Sequence, residues 1–119
     1  MPHPSDKLRR KLKLVYLAYA KENFYWRQHL SSLALKKGYA PLNPFMNFDY
    51  FLRDVVARDK VRLANNNLIR GVDELWVIGK ISDGVAAEIR LAKELNKPIK
   101  YFSTERLPKN LKQIKQKGA

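Results

Sequence analysis

Two carboxylates stand close together in KISDGVAAEIRLAKELNKPI, the segment from Lys80 to Ile99. Asp83 lies in a short polar, glycine-bearing stretch. Glu88 follows five residues later, in the first turn of an amphipathic helix predicted from about Gly84 to Asn96. Two carboxyl groups at one mouth can divide nucleophilic and proton-transfer work. A helix start also gives each a plainer reading. The macrodipole favours an acid near the N-terminus by about 0.3–1 kcal/mol, and Asp is a common N-cap. The same field would keep Glu88 ionised, suited to attack rather than to proton donation.

Other residues can be grouped around this pair. Gly79 and Gly84 would let backbone N–H groups approach a phosphate at the helix start, with Ser82 between them. The sequence has no G-x-G-x-x-G and no P-loop. Asp59 falls with Leu52, Val56 and Leu63 at helical spacing, inside an apolar stripe that Asn66 and Asn67 flank. A carboxylate there needs a partner: either an arginine such as Arg90, or a ligand where the helix face meets the pocket. Tyr16, Tyr19, Phe24, Tyr25 and Trp26 gather around the first strand–helix connection, for base stacking or for the core, Trp26 first for the core. Asn43 marks an Asn-Pro turn and joins Tyr16, Tyr19, Asp59, Asn66, Asn67, Gly79, Ser82 and Gly84 as a candidate ligand contact. Arg27, Arg58, Arg62 and Arg70 read as solvated helix residues. With no cysteine, and only His3 and His29 as imidazoles, disulfides and thiolate metal sites are excluded and no metal or cofactor is expected.

The elements that must position these residues alternate. LKLVYLA, residues 12–18, reads as a strand buried on both faces. Residues 22–37 form a helix with Trp26, Leu30, Leu33 and Ala34 on one side and Gly38 as its stop. YAPLNPF, with two prolines, suits a brief edge strand. Residues 47–70 contain no Gly or Pro and read as one long helix. DELWVIG, Asp73 to Gly79, is a central parallel strand, and KPIKYFS a last one. Leu107, Leu111 and Ile114 share a face if the C-terminal stretch is helical. Strands alternating with helices imply an α/β fold: a mainly parallel sheet of four to five strands with helices on both faces. In such sheets ligands bind beyond the strand C-termini at the switch point, here between the first and third strands. That puts Tyr16–Tyr19 and the 79–84 loop together.

At 119 residues the chain suits one domain, predicted over 12–104, with basic tails at 1–11 and 105–119. The net charge is +13. Residues 1–13 and 105–119 each contribute +4, from five basic and one acidic residue, which leaves +5 for the rest. Such ends can draw nucleic acid or anionic substrates, or simply solubilise the surface. No apolar run approaches a membrane span. The basic start followed by LVYLAYA reads as a strand rather than a signal segment, because Lys13 interrupts the approach. A cytoplasmic, soluble protein is therefore expected, with no membrane partner.

LVYLAYA, GYAPLNPF and LIRGVDELWVIGKISDGVAAEIRLAKELNKPIKYF together resemble the nucleoside 2-deoxyribosyltransferase-like superfamily over roughly residues 12–103, and most closely its small domain-of-unknown-function branch. VDELWVIG…SDGVAAEI..AKELNKPI carries the specific part. The resemblance implies a flavodoxin-like three-layer sandwich, homo-oligomers, and cleavage or transfer at the N-glycosidic bond of a 2′-deoxynucleoside or nucleotide. It makes Glu88 the nucleophile at the anomeric carbon, Asp83 a sugar contact or proton helper, and Tyr16 the residue that positions Glu88. Where active members carry an acid before VDELW, this chain has Asn66 and Asn67, which can hydrogen-bond a base. The alternative is a non-catalytic nucleotide- or nucleic-acid-binding module that uses the basic tails.

Overall fold

A computed structural model of the protein describes residues 2–47 and 55–115. Five strands form one sheet in the order β2-β1-β3-β4-β5. They are β1 Leu14–Tyr19, β2 Ala40–Leu42, β3 Glu74–Ile78, β4 Ile99–Ser103 and β5 Lys112–Ile114. The first four run parallel, and β5 is antiparallel to β4. The helices are α1 Arg27–Lys36, α2 Pro44–Asn47, α3 Arg58–Gly71 and α4 Asp83–Glu94. This is the α/β architecture that the alternation predicts, with the flavodoxin-like strand order that the resemblance implies.

The period-2 geometry of the central strands sorts the core onto two faces. Val15, Leu17 and Tyr19 of β1, Trp76 and Ile78 of β3, and Phe102 of β4 pack with Leu30, Leu33 and Ala34 of α1. Tyr16, Ala18, Leu75, Val77 and Tyr101 point the other way and pack with Ile69 of α3 and Val85, Ile89 and Ala92 of α4. Both faces of β1 and β3 are covered, which is why LVYLA and LWVI are continuous apolar runs rather than alternating ones.

Four boundaries differ from expectation. The helix predicted over 22–37 begins as a 3-10 turn, Lys21–Trp26, and becomes α-helical only at Arg27. Tyr25 is left exposed, while Trp26 packs on the α1-side core. The helix predicted over 47–70 starts at Arg58, with Val55 and Val56 in a turn and bend; Leu52 lies outside the described residues. Its buried side is not the Val56/Leu63 stripe. Ile69 is fully buried and Leu63 is exposed. Six residues place them about 120° apart around the helix, so packing Ile69 on the sheet turns Leu63 outward. Glu88, expected in the first turn of its helix, is in the second, because α4 starts at Asp83. Finally, no helix forms over Leu107–Ile114. Residues 104–109 are bends and turns, and 112–114 pair with the edge of β4. Leu111 then joins the α1-side core and Ile114 the opposite one, as an extended chain requires.

At the N-terminal end of the sheet a buried carboxylate fixes β3. Glu74, 3% exposed, accepts a hydrogen bond from Trp76 Nε1 at 3.0 Å and pairs with Lys100 at 3.3 Å and Lys13 at 3.5 Å. Lys13 is largely solvated, so its ion pair adds little. The buried indole N–H has no such outlet. Glu74→Ala is therefore expected to lower stability by about 1–3 kcal/mol, the cost of an unsatisfied buried donor. Urea unfolding at unchanged m would measure it; a loss below about 0.5 kcal/mol would show that the Trp76 bond contributes nothing.

Candidate functional site

Glu88 is held from three elements. Tyr16 projects from β1 and donates its hydroxyl to Glu88 Oε2 in a short hydrogen bond. Asn65, on α3, donates Nδ2 to the same oxygen at 2.9 Å. Glu88 itself rides on α4, whose N-terminus is set by Ser82. The Ser82 hydroxyl accepts from Val85 N at 3.3 Å, and Ser82 rather than Asp83 is thus the N-cap. With both donors on Oε2, Oε1 carries no hydrogen bond among the described residues.

The electrostatics follow from burial. Desolvation pushes the Glu88 carboxyl above its ordinary range, and the two donors oppose that shift in part. Tyr16 is raised too, first by burial and then by the Glu88 charge beside it, so it remains a hydroxyl donor at any working pH. The helix field is not what holds Glu88. It fades within the first turn, and Glu88 is a turn further in. The expectation that the macrodipole keeps this carboxylate ionised gives way to direct donation from a tyrosine and an amide.

Glu88 lines a cavity of about 420 Å³ between α3, α4 and the C-terminal end of β1. Of the predicted contacts, Tyr19, Asn66, Ser82 and Gly84 share that lining. Phe45, Arg62, Asn65 and Lys21 also line it and were not among the predicted site residues. Phe45 packs on Tyr19 with ring centroids 4.9 Å apart. Asn65 Oδ1 is buried without a hydrogen-bond partner among the described residues. A buried acceptor in a cavity wall is normally answered by a ligand or an ordered water.

Several predicted residues serve elsewhere. Asn43 is buried, and its amide is fully used: Oδ1 accepts from Tyr19 Oη at 2.7 Å and Phe45 N at 3.2 Å, while Nδ2 donates to Arg27 O and Ser31 Oγ, both at 3.0 Å. It ties β1, α1 and α2 together and positions Tyr19 and Phe45 rather than lining the cavity. Burial raises the Tyr19 hydroxyl to about 12. Asp59 is exposed, not core-facing, and pairs with Arg62 at 2.9 Å rather than with Arg90. It stands beside the cavity only through that arginine. Asn67 is exposed and donates to Leu63 O at 2.9 Å, the intrahelical bond of a surface amide. Asp83 is exposed at the first position of α4 and is not part of the cavity wall. Gly79 lines a different cavity, of about 410 Å³, with Val77, Tyr101, Ser103 and Ile114. Its φ is +76°, and a Cβ there would sit 2.9 Å from Asn23 Nδ2 and 3.1 Å from Thr104 Cγ2, so glycine is required by the turn itself.

Among the described residues there is no cluster of three potential metal-ligating side chains and no helix long and apolar enough to cross a membrane.

No curated protein matches the chain. The solved structures that share its fold include two transferases. A 2-desoxiribosyltransferase from Leishmania mexicana aligns with a TM-score of 0.61 at 23% identity over 78% of this chain, which spans 65% of that enzyme. A 2-deoxyribosyltransferase from Bacillus psychrosaccharolyticus aligns with a TM-score of 0.61 at 22% identity, over 76% of this chain and 72% of that one. Residues 15–102, from the second residue of β1 to the fourth of β4, match the family described as Domain of unknown function (DUF7768), and the chain belongs to that family.

Proposed function

We propose that this chain binds a nucleoside or nucleotide in the Glu88 cavity and cleaves or transfers at its N-glycosidic bond. The observation that carries this reading is the half-buried Glu88 carboxylate, with two donors on Oε2 and with Oε1 unbonded among the described residues. In this mechanism Oε1 attacks the anomeric carbon. The C–N bond breaks, and its electron pair leaves with the base, which takes a proton from solvent. Water or a second base then displaces Glu88 from the anomeric carbon and restores the carboxylate. The fold likeness to two 2-deoxyribosyltransferases supports a 2′-deoxyribosyl substrate.

The other walls suit such a ligand. Tyr19 and Phe45 offer an aromatic surface for a base. Asn65 Oδ1 and Asn66 can meet sugar hydroxyls or base amino groups. Lys21 and Arg62 favour a phosphorylated ligand. Assembly of copies into a homo-oligomer belongs to the same reading. A binding domain without turnover is the second reading. It is favoured by the lining itself, in which Glu88 has no second carboxylate among the described residues.

Incubation with 2′-deoxynucleosides and their 5′-monophosphates, with and without a free acceptor base, separates the readings by chromatography. Released or exchanged base is expected, and Glu88→Ala should lower the rate by at least about a thousandfold. Ligand-induced thermal stabilisation with no released base would leave only the binding reading.

Because Glu88 must be ionised to attack, the acid limb of kcat/KM should lie above the ordinary carboxylate range. Tyr16→Phe and Asn65→Ala each remove a donor to the charged form and should move that limb further up. A limb unmoved by either change would remove both residues from the role of holding Glu88.

Stability should carry the same signature. The folded state binds the Glu88 proton more tightly than the unfolded chain does. Glu88 therefore contributes stability that is fully present below the ordinary carboxylate range and is lost as pH rises through its raised value. Glu88→Gln should abolish that part of the slope, as read from urea midpoints across the acid range; an unchanged slope would contradict a raised carboxyl.

A further inference from the structure

The parallel sheet places Glu88 at one end, and at the other it gathers cations. The C-termini of α1, α3 and α4 all lie at the start of the strands, and they carry Lys36 and Lys37, Arg70 and Lys93. The segment before β1 runs past the same end. Arg10, Lys11, Lys13 and Lys37 line a groove of about 360 Å³, together with Leu12, Gly38 and the half-buried Tyr39, and no acid lines it. Lys97, just before β4, is fixed there by donating to Arg70 O at 3.0 Å.

Helix C-termini favour cations in any protein, but that preference does not account for the groove. Three of its four cations, Arg10, Lys11 and Lys13, belong to no helix. Nearby acids are largely committed: Asp73 Oδ2 accepts from Leu14 N at 2.8 Å, and Glu74 is buried with its partners, leaving Glu94 to oppose the rest. Arg10, Lys11 and Lys37 have no ion pair among the described residues. Unneutralised cations converging from two segments on one concave strip match a chain of phosphates rather than a single carboxylate.

We propose that this end of the molecule is a binding surface for the phosphate backbone of nucleic acid, built from residues 10–13 and the C-terminus of α1. It needs neither the Glu88 cavity nor the C-terminal basic stretch. Exposed Leu8 and Leu35 stand close to these cations along the chain, which makes an anionic membrane the rival partner. The concavity favours a strand of phosphates over a flat bilayer.

The test is fluorescence anisotropy with a labelled oligothymidylate of about twenty nucleotides, titrated across a range of salt. Binding should weaken steeply with salt, by about 0.7 in log–log slope for each phosphate neutralised. The Arg10→Ala/Lys11→Ala/Lys37→Ala variant should reduce the slope by about 2 and weaken binding more than tenfold at low salt. Arg58→Ala/Lys60→Ala/Lys109→Ala, at the opposite end, should change neither. Thermal melts of both variants check that they fold. The proposal is overturned if the first variant keeps the original slope, if both variants lose binding equally, or if truncation after Ile114 abolishes binding that the groove variant retains. Tighter binding to phosphatidylserine vesicles than to the oligonucleotide, lost in the same groove variant, would reassign the surface to membranes.

Discussion

A carboxylate taken out of water has to be answered by donors, or it gives up its charge. Glu88 is answered by Tyr16 from the central strand and Asn65 from a neighbouring helix. That one arrangement fixes how α3 and α4 sit across the sheet. Ile69, on α3, is buried one turn after Asn65, and Ile89, on α4, is buried directly after Glu88. The polar triad and the apolar contacts beneath it therefore demand the same placement of both helices. This agreement between packing and hydrogen bonding lets a half-buried ionisable group persist without collapsing the face around it.

Strand order brought the end of β1 to the start of α4, and the family resemblance supplied the pairing of Tyr16 with Glu88 whose hydrogen bond the structure contains. Asn65 came from neither. In LANNNLIRG three amides stand in a row, and only helical phase separates them. Counting back four residues from Ile69 selects Asn65. But the apolar pattern had pointed to Leu63 as the buried position, and with the phase wrong the inward amide was missed. Asp59 failed for the same reason. Its apparent apolar stripe included Leu63, which is exposed, so the carboxylate did not need a buried partner. Asn43 shows a different limit: an Asn before Pro announces a turn, but not that all four of its hydrogen bonds are used within the fold.

The C-terminal stretch shows how a local pattern yields to tertiary demand. Leu107, Leu111 and Ile114 satisfy a helical spacing, yet the outer edge of β4 offers an unpaired row of backbone groups close by. Pairing Lys112–Ile114 there satisfies those groups and sends Leu111 and Ile114 to opposite faces. The periodicity was real, but three apolar residues are too few to outweigh an open sheet edge.

The two margins of the sheet are built alike. β2 is three residues long and contains Pro41, which has no N–H to offer, and β5 is also three residues long. Short, interrupted margins give another strand little to zip onto. The consequence concerns how copies of this protein can meet. Continuous sheets running from one molecule into the next are disfavoured at both sides, so any lasting association has to be made through helices, loops or the ends of the strands. It would then depend on side-chain fit, and so could be tuned by substitution without disturbing the backbone pairing of the domain.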